Sequence, residues 1–289
     1  MSPPRTATAP TLAELLAEEL DASDPDNRDP EFIRRFAVPV LNAARTYYFR
    51  AEAEGEELVP RDGAFIAVAN HNGGPILCDT WVMLSYWWSV FGVERPSYAL
   101  VHDAPLRIPL LRNALVKLGA LRASAENAAS VLRRGAPLLI YPGGELDCLR
   151  SFWRRHQIDF HGRTGFVKLA LHHGVPIVPI VNVGGHEVYV TLFSSERLAE
   201  WTGLAALTRV KTLPVNLGLP WGIWMTGFVP FFPLPAKLVY KVGEPIDLGR
   251  DPDRAHDPAF VRRAYGRVTR TMQRMLDDLA RRRRFPILG

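Results

Sequence analysis

The chain has 289 residues, 47% hydrophobic and 22% charged, so it can bury one substantial core, and a largely disordered protein is excluded. Its two cysteines, Cys78 and Cys148, exclude a disulfide scaffold; neither has a partner at zinc-ligand spacing, and no metal is expected. The net charge of +5 gathers at the carboxyl end, where Arg262 to Arg284 holds nine arginines against two aspartates. Such a stretch either attracts phosphates or forms a solvated helix face.

The first residues lack a cationic start followed by an apolar core, so no secretory signal is read and a cytoplasmic location is expected. Thr11 predicts an N-cap for a helix from Leu12 to Leu20, and the turn-rich DASDPDNRDP follows. Between Glu31 and Phe49, the residues Phe32, Phe36, Val40, Leu41, Ala44, Tyr47 and Tyr48 recur at helical spacing, and Pro39 predicts a bend. Residues 1–50 are therefore expected as an amino-terminal helical segment that packs on the rest or lies on a membrane surface, and 51–289 as an α/β domain.

Within that domain, strands are expected at Ala64 to Ala69, Ser97 to Val101, Leu118 to Leu121, Pro137 to Tyr141 and Pro176 to Val183. Helices are expected at Leu77 to Phe91, Leu106 to Val116, Glu126 to Arg134 and Gly165 to His173. The alternation predicts a mostly parallel sheet with helices on both faces. Between Lys211 and Lys237 there is no charge, yet five prolines and three glycines exclude a membrane-crossing helix. With Trp221, Trp224, Phe228, Phe231 and Phe232, this stretch is expected as an irregular apolar segment that lines a pocket or sits at lipid-headgroup level. Lys237 to Val242 reads as an edge strand, and Pro258 to Arg284 as a long terminal helix with Val261, Tyr265, Val268, Met272, Met275 and Leu279 as its apolar stripe.

The strongest chemical signal is VANHNGGPILCD, Val68 to Asp79. It delivers His71 to the carboxyl end of a buried strand, where open α/β sheets bind ligands, with Asp79 following to orient the imidazole. A histidine so placed suits proton removal from a hydroxyl; a satisfied core histidine has the same signature. No Gly-x-Ser-x-Gly elbow occurs, which disfavours a serine hydrolase. A second constellation, Tyr141-Pro142-Gly143-Gly144-Glu145, ends another strand with a glycine turn and an acid at the same sheet edge. Arg150, Arg154, Arg155, His156, His161 and Arg163 follow it and read as a phosphate site, although no P-loop is present.

Taken in order, NHNGGPILCD, LGALRASAEN, YPGGELDCLR with GRTGFVKLAL, and VPIVPIVNVGG resemble the glycerolipid (lysophosphatidic acid) acyltransferase superfamily, over roughly Ala64 to Gly185. The later GLPWG and PFFPLP are similar to its diacylglycerol-acyltransferase-like branch. The resemblance implies a glycerol-phosphate-acyltransferase-like fold and transfer of a fatty acyl group to a hydroxyl of a glycerolipid or other lipid. The donor would be acyl-CoA or acyl carrier protein, a co-substrate, with no cofactor and no nucleic-acid partner. It implies His71 as general base, Asp79 as its orienting acid and Glu145 as a further site acid. Substrate contacts would come from Asn70, Gly73, Gly74, Arg122, Gly143, Gly144, Arg150 and Arg163. Apolar helices such as Trp81 to Phe91 would wall an acyl tunnel, and the enzyme would sit peripherally on the cytoplasmic face of a membrane.

Two features depart from the family pattern. Seven residues separate His71 from Asp79 where the family has four, so the loop is expected to fold its extra residues outward, with Glu145 as substitute if Asp79 falls short. Pro142-Gly143-Gly144-Glu145 replaces Pro-Glu-Gly-Thr-Arg-Ser, which favours a neutral or unusual acceptor. Two alternatives stay open: acyl-thioester hydrolysis, and an inactive lipid-binding, membrane-associated protein.

Overall fold

The computed structural model describes residues 11, 12, 17, 19–203, 212–225, 231–283 and 285. The helix expected from Leu12 to Leu20 lies largely outside them. Seven strands form the main sheet: β1 (Glu52–Glu54), β2 (Ile66–Ala69), β3 (Tyr98–Val101), β4 (Ala120–Arg122), β5 (Leu138–Ile140), β6 (Ile177–Val183) and β10 (Val239–Val242), in the order β1-β10-β6-β2-β5-β3-β4. All neighbours are parallel except β10 and β6. The expected α/β architecture is therefore present, and β2 stands between β5 and β6 with every residue buried.

Helices cover both faces. On one, Ala125–Arg133, Gly165–His173 and the terminal helix Pro258–Arg282 bury a continuous apolar layer against the sheet. That terminal helix buries Val261, Val268, Met272, Met275 and Leu279, the stripe its spacing predicts. On the other face lies Cys78–Phe91, which turns Cys78, Val82, Ser85 and Trp88 inward at helical intervals. The helix expected from Leu106 to Val116 is interrupted: Asp103–Leu106 and Pro109–Lys117 are separate, because Pro109 begins a new helix instead of continuing one.

The amino-terminal run over residues 30–48 is helical throughout, but two wide five-residue turns, Ile33–Ala37 and Ala44–Tyr48, flank the regular Val38–Ala43. The first of these accommodates Pro39, which has no N–H to donate to the preceding turn. Burial of Phe32 and Ile33, a Ser85–Asn42 side-chain hydrogen bond of 2.6 Å and the Arg45 guanidinium 4.4 Å over the Tyr86 ring hold this run on the α/β layer.

Two expectations fail here. The strand at Val239–Val242 is no edge: β1 pairs with it on its outer side. Strand β1 reads Glu-Ala-Glu, with no apolar run to reveal it, and its acids are answered by Lys237, Lys241 and Arg282. Part of the basic carboxyl end is thus spent on structure. The uncharged stretch after Lys211 is likewise not wholly irregular. Its β8 (Leu213–Gly218) and β9 (Gly222–Met225) join β7 (Val190–Ser195) in a second, antiparallel sheet. Phe228 lies outside the described residues. Among the described residues, no helix is long and apolar enough to cross a membrane.

Candidate active site

The carboxyl end of β2 opens into the loop 70–77, which determines whether Asp79 can reach His71. Gly74 and Leu77 both take left-handed backbone angles, φ 64° and 58°, the latter uncommon for a bulky residue. They fold the extra residues outward, leaving Ile76 exposed. Gly73 passes directly beneath the carboxylate: a Cβ there would lie 2.3 Å from Asp79 Oδ1. The result is a His71 Nδ1 to Asp79 Oδ2 contact of 2.7 Å. Asp79 does reach, and Glu145 is not needed in its place.

Asp79 is fully buried, at 0% exposure, and answered on all sides. It accepts the Asn72 N–H at 2.8 Å and the Thr80 N–H at 2.8 Å. The Tyr240 hydroxyl donates to its backbone carbonyl at 2.7 Å. It stands in the first turn of Cys78–Phe91, where the helix dipole favours an anion. Burial raises its carboxyl pKa, but His71 and these amides outweigh burial and hold it below the usual range. His71 shows the complement: burial works against a charged imidazole, yet Asp79, with Cys148 as a second neighbour, lifts its pKa well above 6.5.

The rest of the constellation comes from β5. Tyr141 stacks on His71, ring centroids 4.3 Å apart, and its hydroxyl accepts from Thr80 Oγ1 at 2.9 Å. After the glycine turn, the short helix Gly144–Cys148 carries Asp147 back beneath the histidine, where Oδ2 accepts the His71 backbone N–H at 2.8 Å. Asp147 also pairs with Arg150 at 2.8 Å, both side chains at most 5% exposed. Burial still pushes the Asp147 carboxyl up against that cation.

Several residues expected to touch substrate make scaffolding contacts. Asn70 spends its side chain on the Asn182 backbone of β6, at 2.8 and 3.0 Å, tying the loop to the neighbouring strand. Gly73 and Gly74 make room for Asp79 and for the Tyr189 ring. Arg150 is buried, and beyond Asp147 it donates to the Gln157 and Asp159 carbonyls. Gly144 donates its N–H to the Tyr141 carbonyl at 3.1 Å, so that amide is not available to an oxyanion. Arg163 donates to the Pro142 and Gly143 carbonyls and meets Glu145 at 3.3 Å, and so braces the glycine turn from its partly exposed side.

Arg122 does not lie against the His71–Asp79 pair. It ends β4, three strands from β2 or about 14 Å at usual strand spacing, and pairs with Asp103 at 3.2 Å. Of the other basic residues after the glycine turn, Arg155 stacks on Phe152 and pairs with the buried Glu187 at 3.2 Å, while Arg154 faces solvent.

Sequence reasoning missed Asp147, Tyr141 as a stacking partner, Tyr240 and His186. Asp147 had a visible signal, a third acidic position one helical turn before Arg150. Tyr240 had none, since it arrives from a strand 161 residues away from Asp79. His186 is fully buried nearby, and burial, seconded by the Arg150 cation, pushes its pKa down to about 3, so it stays neutral. Among the described residues, no three His, Cys, Asp or Glu side chains converge as metal ligands would.

Residues 50–183, which carry β1 to β6 and both chemical loops, match the Acyltransferase family. A Mycobacterium tuberculosis protein described as uncharacterized is 31% identical over 266 residues, 90% of this chain and 70% of its own. The chain belongs to the glycerolipid acyltransferase superfamily. It is similar to the human 2-acylglycerol O-acyltransferase 3, 24% identical over 245 residues, 82% of this chain and 69% of that one. In fold it resembles the 1-acyl-sn-glycerophosphate (LPA) acyltransferase PlsC of Thermotoga maritima, with a TM-score of 0.54, 19% identity and coverage of 89% and 82% of the two chains. Membership places the chain among enzymes that acylate lipids.

Proposed function

We propose that this acyltransferase moves a fatty acyl group from a thioester, acyl-CoA or acyl carrier protein, to a lipid hydroxyl, with His71 as general base. The observation that carries this reading is the 2.7 Å contact between His71 Nδ1 and a buried Asp79. That bond fixes the tautomer, and it assigns Nε2 to the acceptor. Nε2 takes the hydroxyl proton as the oxygen attacks the thioester carbonyl. The C–S bond then breaks, and the imidazolium, stabilised by Asp79, returns the proton to the departing thiolate. Tyr141 packed on the imidazole and Asp147 holding the His71 backbone keep the ring from swinging away.

The acyl chain is assigned to an apolar crevice between Cys78–Phe91 and the sheet, walled by Phe65, Met83, Tyr86, Trp87, Val90 and Phe91. Tyr240 also lines it, and the Tyr240 hydroxyl donates to the Asp79 backbone carbonyl, which links the crevice wall to the element that carries the orienting acid. Because Arg150 is spent inside the fold and Arg122 lies away from the site, a neutral hydroxyl lipid is favoured over a phosphorylated acceptor. The test is incubation with labelled acyl-CoA and a total lipid extract, followed by the mass of the labelled product. A labelled neutral glycerolipid is expected. Release of free acid at a rate indifferent to added lipid would instead identify a thioester hydrolase.

A further inference from the structure

Between Val261 and Arg282 of the terminal helix, every exposed residue is an arginine. Four of them, Arg263, Arg267, Arg270 and Arg274, follow one another at intervals of four, three and four residues. That spacing sets them in one straight row, about 16 Å long at the helical rise. The row lies opposite the buried stripe that holds the helix to the sheet.

Among the described residues, no carboxylate forms an ion pair with any of these four. The helix's own acids are engaged elsewhere: Asp277 accepts from Gln273, and Asp278 pairs with Lys241 and Arg282. Asp257, at the N-cap, accepts the Ala259 and Phe260 N–H groups. Arg263 lies over the Phe260 ring at 5.8 Å, and Arg274 donates to the Thr271 hydroxyl at 3.3 Å. Cations at these intervals repel one another, and Arg263 stands toward the amino-terminal end, where the helix dipole gives a cation no support. A merely solvated face has no need of such a row, since one glutamate four residues away would relieve the repulsion.

We propose that this arginine row docks an acidic carrier protein that bears the acyl thioester. The inference rests on the thioester donor proposed above and chooses between its two forms. Guanidinium forks suit carboxylates, and a row along the crest of a helix matches acids spaced along the surface of another protein. The phosphates of coenzyme A, gathered at one end of a small molecule, call for a concave cluster instead. Among the described residues of this helix no exposed aromatic or apolar side chain interrupts the row, so it has nothing to insert into a bilayer or to stack on bases.

The row also borders the segment that leads to the catalytic turn. Gln273, between Arg270 and Arg274, accepts the Ile158 N–H at 2.8 Å and donates to the His156 carbonyl at 2.9 Å. Tyr265 accepts the Gly162 N–H at 3.3 Å. The next residue, Arg163, donates to the Pro142 and Gly143 carbonyls, and that turn carries Asp147 to the His71 backbone. A carrier seated on the row is therefore separated from the His71 loop by this one segment, which its flexible prosthetic arm has to pass. Coenzyme A brings the same thioester to the same base but leaves the row unused.

The test is fluorescence anisotropy of a labelled bacterial acyl carrier protein in its apo form, titrated with the full chain. No acyl group is present, so docking is read whether or not transfer occurs. Binding is expected, and it is expected to weaken steeply with added salt. Arg267→Glu combined with Arg274→Glu is expected to weaken it by at least roughly tenfold at an unchanged melting temperature. The same double variant is expected to raise KM for the acyl carrier donor, while acyl-CoA transfer stays within about twofold of wild type. Arg197→Glu, exposed on the helix after β7, changes the net charge elsewhere and is expected to leave binding intact. Wild-type protein that leaves the anisotropy flat at low salt would overturn the proposal. So would an equal loss in Arg197→Glu, or an equal loss of acyl-CoA transfer in the double variant. Reversal of the row that abolishes binding to phosphatidylglycerol vesicles or to an oligonucleotide, with carrier binding unchanged, would overturn it too. Docking without transfer supports the surface and counts against the acyl-transfer reading alone.

Discussion

Replacing Asp79 by asparagine separates the charge of the orienting group from its shape. Asp79 Oδ2 accepts from His71 and Asn72, and Oδ1 accepts from Thr80. An asparagine can keep its carbonyl toward His71 and Asn72, which preserves the tautomer, only by turning its NH2 against the Thr80 N–H. That unmet donor costs about 1–3 kcal/mol of stability. What disappears is the negative charge that stabilises the imidazolium as the acceptor proton arrives. General-base catalysis is worth roughly 10²–10⁴-fold, and a loss within that range is expected in kcat. The pH profile gives the sharper readout. In the wild type, Asp79 raises the His71 pKa against burial, so activity climbs with pH through the raised value. Without the carboxylate, burial is opposed only by Cys148 and pulls the histidine down, so the acid limb of kcat/KM moves to lower pH while the plateau falls. Stability follows the same sign: the pair's contribution is complete below pH 6.5 and is lost as pH rises through the folded-state value, a slope the variant lacks. Steady-state kinetics across pH, with melting measured in the same buffers, reads both. Turnover within about threefold of wild type and an unmoved acid limb would refute this reasoning.

Other perturbations probe the surrounding parts. Asp147→Ala leaves the Arg150 guanidinium buried without its counter-charge and frees the His71 backbone N–H; urea unfolding is expected to show a loss of about 3–5 kcal/mol. Met83→Trp fills part of the apolar crevice, and competition among acyl donors of mixed chain length is expected to show a shift toward shorter products. Cys148 neighbours His71 but is only 5% exposed. Cys148→Ala is therefore expected to retain transfer within a few-fold, and a complete loss, with an acyl-thioester trapped on the wild-type enzyme, would move the chemistry onto the sulfur.

The sheet and its covering helices were legible because their residues alternate apolar runs with helical periodicity, and β2, buried on both faces, is an unbroken run. The His71–Asp79 pair was legible as chemistry but not as geometry. Its contact depends on left-handed angles at Gly74 and Leu77 and on a glycine under the carboxylate, and sequence patterns announce only the glycines. Strand β1 escaped because its two glutamates are stabilised by distant lysines and an arginine, not by burial. The same blindness to distant partners turned Arg150 into a substrate ligand on paper, although in the fold it neutralises Asp147. The second sheet was masked by its prolines and glycines, which punctuate the strands at Pro214, Gly218 and Gly222 without preventing their pairing.

The most direct test of the central claim is the turnover of His71→Ala with labelled acyl-CoA and the acceptor identified from the lipid extract. Loss of the ring leaves the buried Asp79 carboxylate on its amide donors alone, so the variant is expected to fold but to melt below the wild type, while transfer falls by at least roughly 10²-fold. A folded His71→Ala protein that transfers acyl groups at near the wild-type rate would contradict the assignment of His71 as the base.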